Sequence, residues 1–213
     1  MNLILLGAPG AGKGTQSELL CDRLSLKHFS TGDIFREEIG KKTQLGLKVT
    51  QIVCSGKLVP DSLVLEIVTS RIKAEKGGVL FDGFPRTIEQ AEQLDLFMDK
   101  DGRKLDAVVL IDLAEDEVVR RLTSRRTCKG CGKIYNLIST PPKKADVCDV
   151  CGGAILCRED DTVETVKRRL MVYRDQTEPL VAYYKANHHF IRVDGALAPA
   201  VVTEDIIKAL GAK

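Results

Sequence analysis

An apolar run from Asn2 to Leu6 meets a glycine-rich loop, Gly7-Ala8-Pro9-Gly10-Ala11-Gly12-Lys13-Gly14-Thr15, and an amphipathic segment follows with Leu19, Leu20 and Leu24 as its apolar positions. Strand, loop and helix in that order constrain the fold more than any other stretch. Glycines let successive backbone N–H groups turn toward one anion. The helix N-terminus adds partial positive charge, and a lysine at its start adds a full one. A hydroxyl in the first turn suits Mg²⁺. The ligand class this implies is a nucleoside polyphosphate. The strict phosphate-loop pattern is missed by one residue, because Gly14 stands between Lys13 and Thr15.

Short β-rich runs recur at Leu3–Leu6, Val79–Phe81, Ala107–Ile111 and Phe190–Val193, with helical patterns between them. That alternation predicts an α/β fold: a central parallel sheet with helices on both faces. Helix starts are expected at Ser30–Asp33 and Pro60–Asp61, and capping boxes at Thr87/Gln90 and Asp161/Glu164. The last opens one long helical face, Val163, Val166, Leu170, Tyr173, Thr177, Leu180 and Tyr184, with Pro179 as a candidate kink. Gly102, Gly195 and Gly211 are candidate turn or C-cap positions. His28 precedes a short strand-like segment, and His188 and His189 have no ligand-like spacing partner.

Residues 127–161 lack a helical period. Within them Cys128-x₂-Cys131 and Cys148-x₂-Cys151 are separated by sixteen intervening residues. That spacing fits a closed tetrahedral Cys₄ zinc site, structural because no position is left open. The segment is too short for its own hydrophobic core, so a metal would help it fold. Cys157 reads as a stray thiol or a substitute ligand, and Cys21 and Cys54 as small core residues.

Net charge is +2, with 44% hydrophobic and 29% charged residues. This composition suits an ordinary globular enzyme and gives no whole-protein attraction to nucleic acid or membrane. The start of the chain lacks a signal-peptide pattern and no segment approaches a membrane span, so a cytoplasmic location is expected. Cations for a phosphoryl-transfer centre are available in three places. Arg86 ends the Asp82–Arg86 stretch. Arg120, Arg121, Arg125 and Arg126 precede the cysteine module, and Arg158, Arg168 and Arg169 follow it.

Taken together, the GAPGAGKGT loop, Ser30–Arg36, Gly56–Pro60, Asp82–Thr87 with Gln90, Arg125–Cys128 and Arg158–Asp161 resemble the adenylate kinase family in its long form with a zinc-bearing lid, over essentially the whole chain. Glycine between the phosphate-loop lysine and threonine is common in that family. Glu89 stands where many of its members have proline, a neutral change at a helix N-terminus.

The resemblance implies a three-layer phosphate-loop nucleoside monophosphate kinase fold. Residues 1–29, 60–123 and 162–213 would form the core, 30–59 an AMP-binding helical insert and 124–161 the zinc-binding lid. It implies Mg·ATP + AMP ⇌ 2 ADP, carried out by a monomer without nucleic-acid or membrane partners. ATP would be held by Gly10, Ala11, Gly12, Lys13, Gly14, Thr15, Arg121, Arg125, Ile134, Tyr135 and the backbone of Leu197. AMP would be held by Thr31, Arg36, Lys57, Leu58, Val59, Gly83, Phe84, Pro85, Arg86 and Gln90. Arg158 and Arg169 would act across both phosphate chains. Lys13, Arg86, Arg125, Arg158 and Arg169 would be catalytic, and Asp33 and Asp82 would orient Mg²⁺ through water.

Three rival readings differ from this one. A UMP/CMP or GMP kinase is disfavoured by Gln90 and Thr31. A zinc-ribbon nucleic-acid binder would use Lys129, Lys133, Lys143 and Lys144, but net charge and few aromatics weaken it. A non-catalytic nucleotide binder conflicts with intact Lys13 and the arginines.

Overall fold

A computed structural model describes residues 1–212. The chain runs β1 (Asn2–Leu6), α1 (Lys13–Leu24), β2 (Lys27–Ser30), α2 (Thr31–Gly40), α3 (Gln44–Cys54), α4 (Asp61–Ala74), β3 (Val79–Asp82), α5 (Ile88–Lys100), β4 (Ala107–Asp112) and α6 (Glu115–Thr123). Three short strands follow, β5 (Arg125–Cys128), β6 (Ile134–Asn136) and β7 (Ile155–Leu156), and then α7 (Val163–Val172), α8 (Pro179–Asn187), β8 (Phe190–Asp194) and α9 (Pro199–Leu210).

Five strands form one parallel sheet in the order β2-β3-β1-β4-β8. The three inner strands, β3, β1 and β4, are largely apolar and buried on both faces, as a covered parallel sheet requires, whereas the edge strands β2 and β8 expose Lys27, Arg192 and Asp194. Along β1, Ile4 and Leu6 join one core and Leu3 and Leu5 the other. The first core takes Val64, Val68 and Ile72 from α4, Ala91, Leu94 and Met98 from α5, and Leu180 and Tyr184 from α8. The second takes Leu20 from α1 and Val202, Ile206 and Ile207 from α9. The result is three layers, helix, sheet and helix. From β1 the chain passes to β2 and β3 on one side and then crosses to β4 on the other, so the phosphate loop lies at the topological switch point.

The four strand runs expected from sequence are present. His28 lies inside β2, the one sheet strand with an exposed start. Ser30 caps α2 by accepting from the Asp33 N–H, and Thr87 caps α5 by accepting from the Gln90 N–H, each at 3.2 Å. The box at Thr87 is only half made, because the Gln90 side chain turns elsewhere. The box at Asp161/Glu164 is absent. Thr162 is the cap, accepting from the Thr165 N–H at 3.3 Å, because the Asp161 carboxylate is taken by two arginines. The long helix is interrupted. Tyr173–Thr177 forms a π-helical turn in which the Glu178 N–H donates to the Tyr173 carbonyl, and α8 restarts at Pro179, which has no N–H to give. The apolar face survives from Val166 onward, but Val163 is exposed. Gly211 caps α9 at φ 66°. Cys21 packs at the edge of the second core, but Cys54 is half-buried and faces the Glu159 carboxylate at 3.6 Å, so it is not a core residue.

Residues 125–156 form a separate antiparallel sheet, β6-β5-β7. It lies over α1, where the Lys133 ammonium pairs with Glu18 at 3.1 Å.

Candidate active site and metal centre

The phosphate loop joins β1 to α1. Gly12 caps α1 in the left-handed region (φ 106°) without a side-chain hydrogen bond, so the first N–H groups of the helix are left for an anion. Gly7 is required for a different reason: a Cβ there would come within 2.5 Å of the Ile111 carbonyl oxygen. The Lys13 ammonium folds back and donates to the carbonyls of Gly7 at 2.8 Å and Ala8 at 3.0 Å. Burial lowers its pKa to about 8, partly offset by the nearby Asp82 carboxylate.

A cleft opens beside this loop. It gathers Thr31, Arg36, Lys57, Leu58, Val59, Gly83, Pro85, Arg86, Gln90 and Arg169 from the expected AMP set, together with Lys13. The Phe84 side chain is buried in the first core, leaving only its backbone for a ligand. The Thr31 hydroxyl donates to the Gly83 carbonyl at 2.7 Å, and the Arg86 Nε donates to the same carbonyl at 2.8 Å. Burial lowers the Arg86 pKa to about 10, and the neighbouring Arg169 charge acts in the same direction.

Gln90 is locked. Its Oε1 accepts from the Arg86 N–H at 2.8 Å, and its Nε2 donates to Asp61 Oδ1 at 2.7 Å. Asp61 Oδ2 accepts from the Thr87 hydroxyl at 2.8 Å. Asp61 was not anticipated as an orienting residue; its only signal was its place at a helix start.

The arginines beyond the lid are held by two acids that sequence reading also missed. Asp161 has a fully buried side chain. It accepts from the Arg125 Nε at 2.8 Å and Nη2 at 2.6 Å, a two-pronged pair, and from the Arg169 Nη1 at 3.2 Å. Arg169 also donates to Asp160 Oδ2 at 2.8 Å. Burial by itself would raise the Asp160 pKa, but Arg169 and Arg125 outweigh it and the pKa is lowered. Two adjacent acids following Arg158 were the available signal. Arg158 does not line the cleft; its Nε donates to the Thr127 hydroxyl at 2.8 Å.

Of the remaining expected residues, Arg121 donates to Glu117 at 2.8 Å and to the Gly195 carbonyl at 2.9 Å, which brings α6 to the loop carrying Leu197. Leu197 is exposed. Asp33 pairs with Arg36. Asp82, at the end of β3, lies 3.5 Å from His28 Nε2, a buried nitrogen without a hydrogen-bond partner. Ile134 reaches toward the phosphate loop, its Cδ1 being 3.6 Å from where a Gly14 Cβ would stand. The Tyr135 side chain points away from that loop into the cysteine cluster.

The Sγ atoms of Cys128, Cys131, Cys148 and Cys151 all lie within 4.8 Å of one another. The Cys128–Cys151 and Cys131–Cys148 pairs are 3.4 Å and 3.6 Å apart. A tetrahedral Zn²⁺ with bonds of about 2.3 Å needs sulfurs about 3.8 Å apart, so the four cysteines fit that ion. The Gly130 N–H donates to Cys128 Sγ at 3.3 Å. Tyr135 lowers the Cys148 pKa to about 6 by hydrogen bonding. Cys157 is exposed and outside the cluster.

A family model described as adenylate kinase matches residues 5–189. An adenylate kinase of Caldicellulosiruptor bescii is 50% identical over 213 residues, covering 99% of each chain. Those of Clostridium tetani and Methanocella arvoryzae are 48% and 45% identical, with at least 98% of each chain covered.

The chain belongs to the adenylate kinase family.

It is therefore an enzyme, a nucleoside monophosphate kinase that transfers the terminal phosphate of ATP to AMP. As an adenylate kinase it combines an α/β core with a four-cysteine module that fits a zinc-bearing lid.

Proposed function

We propose that the cleft beside the phosphate loop takes AMP, that the lid and Gly10–Thr15 hold Mg·ATP, and that the two phosphate chains meet at Lys13, Arg86, Arg125, Arg158 and Arg169. The convergence of Lys13, Arg86 and Arg169 on one cleft carries this reading. The acceptor is already a phosphate anion, so no base is needed; positioning and neutralisation of spreading charge suffice. The loop N–H groups and Lys13 grip the donor. Gln90, fixed by Asp61, presents its amide edge to the adenine of AMP, and Arg86 takes the AMP phosphate. Asp160 and Asp161 hold Arg125 and Arg169 in place until phosphates replace them.

Mg²⁺ would bridge the ATP phosphates and neutralise developing charge. Asp82, at the mouth of the phosphate loop, and Asp33 suit such an ion, which keeps its waters and takes few carboxylates. Zn²⁺ on the four cysteines would be structural. Segments 30–59 and 124–161 act as an AMP-side insert and a lid, closing to keep water from the transferred phosphate. We place the enzyme in the cytoplasm as a monomer. Its seven thiols are unpaired and no described helix is long and apolar enough to cross a membrane.

A coupled assay of ADP formation with AMP, UMP, CMP and GMP as acceptors tests substrate choice, and AMP is expected to dominate. Lys13→Ala and Arg86→Ala should each lower turnover about 10²–10³-fold. Turnover near the wild-type value in either variant would remove that residue from the centre.

A further inference from the structure

Strand β6 and the residue before it carry three contacts in succession. Lys133 pairs with Glu18 on α1 at 3.1 Å. Ile134 turns toward Gly14 of the phosphate loop. Tyr135, on the opposite face as strand alternation requires, is buried and sets its hydroxyl 3.3 Å from Cys148 Sγ. The same oxygen accepts from the Asp149 N–H at 2.8 Å. A metal-bound Cys148 is a thiolate and has no proton, so Tyr135 must be the donor. Its hydroxyl is then satisfied on both sides: it gives its proton to the sulfur and takes the N–H of the second cysteine turn. Donors to a ligand atom orient it and tune the metal.

We propose that Tyr135 is a positioning residue that couples metal occupancy of the lid to ATP binding through a single strand. It orients Cys148 on one face while Ile134, one residue away on the other face, meets the phosphate loop. The proposal rests on the reading that the four cysteines hold Zn²⁺ and that β6 closes over ATP. It gives Tyr135 a role different from direct contact with the nucleotide. Coupling between two sites is reciprocal. ATP should therefore tighten zinc by the same factor as zinc tightens ATP.

The test is equilibrium competition for Zn²⁺ between the full chain and a chromophoric chelator, with and without ATP and in the absence of AMP. Cobalt(II) substitution reports the thiolate-to-metal charge-transfer bands. In the wild type, ATP is expected to tighten zinc. Tyr135→Phe should weaken zinc about tenfold or more, shift the cobalt bands and abolish the ATP effect. Ile134→Ala should keep the wild-type zinc affinity but lose the ATP effect. Unchanged zinc affinity and an intact ATP effect in Tyr135→Phe would overturn the proposal. If that variant loses lid structure, an undiminished ATP effect in Ile134→Ala would overturn it instead. A wild type that takes up no zinc overturns the zinc reading and this proposal with it. A zinc-loaded wild type whose zinc affinity and ATP effect both survive Tyr135→Phe overturns the coupling alone.

Discussion

The two segments inserted into the core solve the same problem differently. Residues 30–59 stay attached to the main core: Ile34, Phe35 and Val49 are buried in the cluster that contains Phe81 and Phe84. The lid has only Cys128, Tyr135, Cys148 and Ile155 as its buried apolar cluster, and half of these are cysteines. The insert borrows hydrophobic stability from its neighbours, whereas so small a separate cluster needs a cross-link. On the proposed reading, one segment closes as an extension of the core and the other as a metal-stapled unit.

Removing the metal or substituting Cys148→Ser should break this comparison most sharply. Apparent zinc binding in small metal folds is worth about 10–16 kcal/mol. Hydrogen exchange should show lid amides losing protection while amides of α2 and α3 keep theirs. Equal loss in both would mean that the insert depends on the lid.

Asp161→Ala comes next. It leaves Arg125 without its acid and Arg169 with Asp160 alone, at a cost of about 3 kcal/mol. Thermal melts should show the loss, and saturating ATP should recover more stability in the variant than in the wild type, because phosphates can replace the carboxylate. Val49→Ala tests the insert's side of the comparison. It should cost about 2 kcal/mol and leave zinc affinity unchanged.

The smallest effect concerns Lys13, which belongs to neither segment. Its pKa is lowered to about 8, so the folded enzyme binds this proton less tightly than the unfolded chain. The resulting penalty is full below pH about 8 and fades as pH rises toward the ordinary lysine value of 10.5. Bound phosphates favour the charged form and raise the pKa. ATP binding should therefore take up a fraction of a proton at pH about 8–9, and ATP affinity should fall as pH rises through that range. Calorimetry in two buffers of different ionisation enthalpy measures this.

Much of the site was legible because its chemistry is local. The phosphate loop lies within one strand–helix junction, the knuckles are two short cysteine spacings, and Arg86 lies four residues past the end of β3. What stayed hidden was long-range. Asp61 reaches Gln90 across 29 residues, and Asp161 reaches Arg125 across 36. The same Asp161 resembled a helix cap, because an acid before a helix carries the same local signal whether its oxygens meet N–H groups or guanidinium groups. The pattern from Val163 to Tyr184 has helical period, and period alone does not show the π turn that Pro179 accompanies.

By itself, then, the amino-acid order determined the family, the parallel sheet and the four-cysteine cluster, since each depends on residue types at short, fixed spacing. Only the tertiary structure decided which acids hold which arginines, and that Tyr135 faces sulfur and Ile134 the phosphate loop. Those outcomes depend on which surfaces the fold brings within hydrogen-bond reach, and no spacing along the chain encodes that distance.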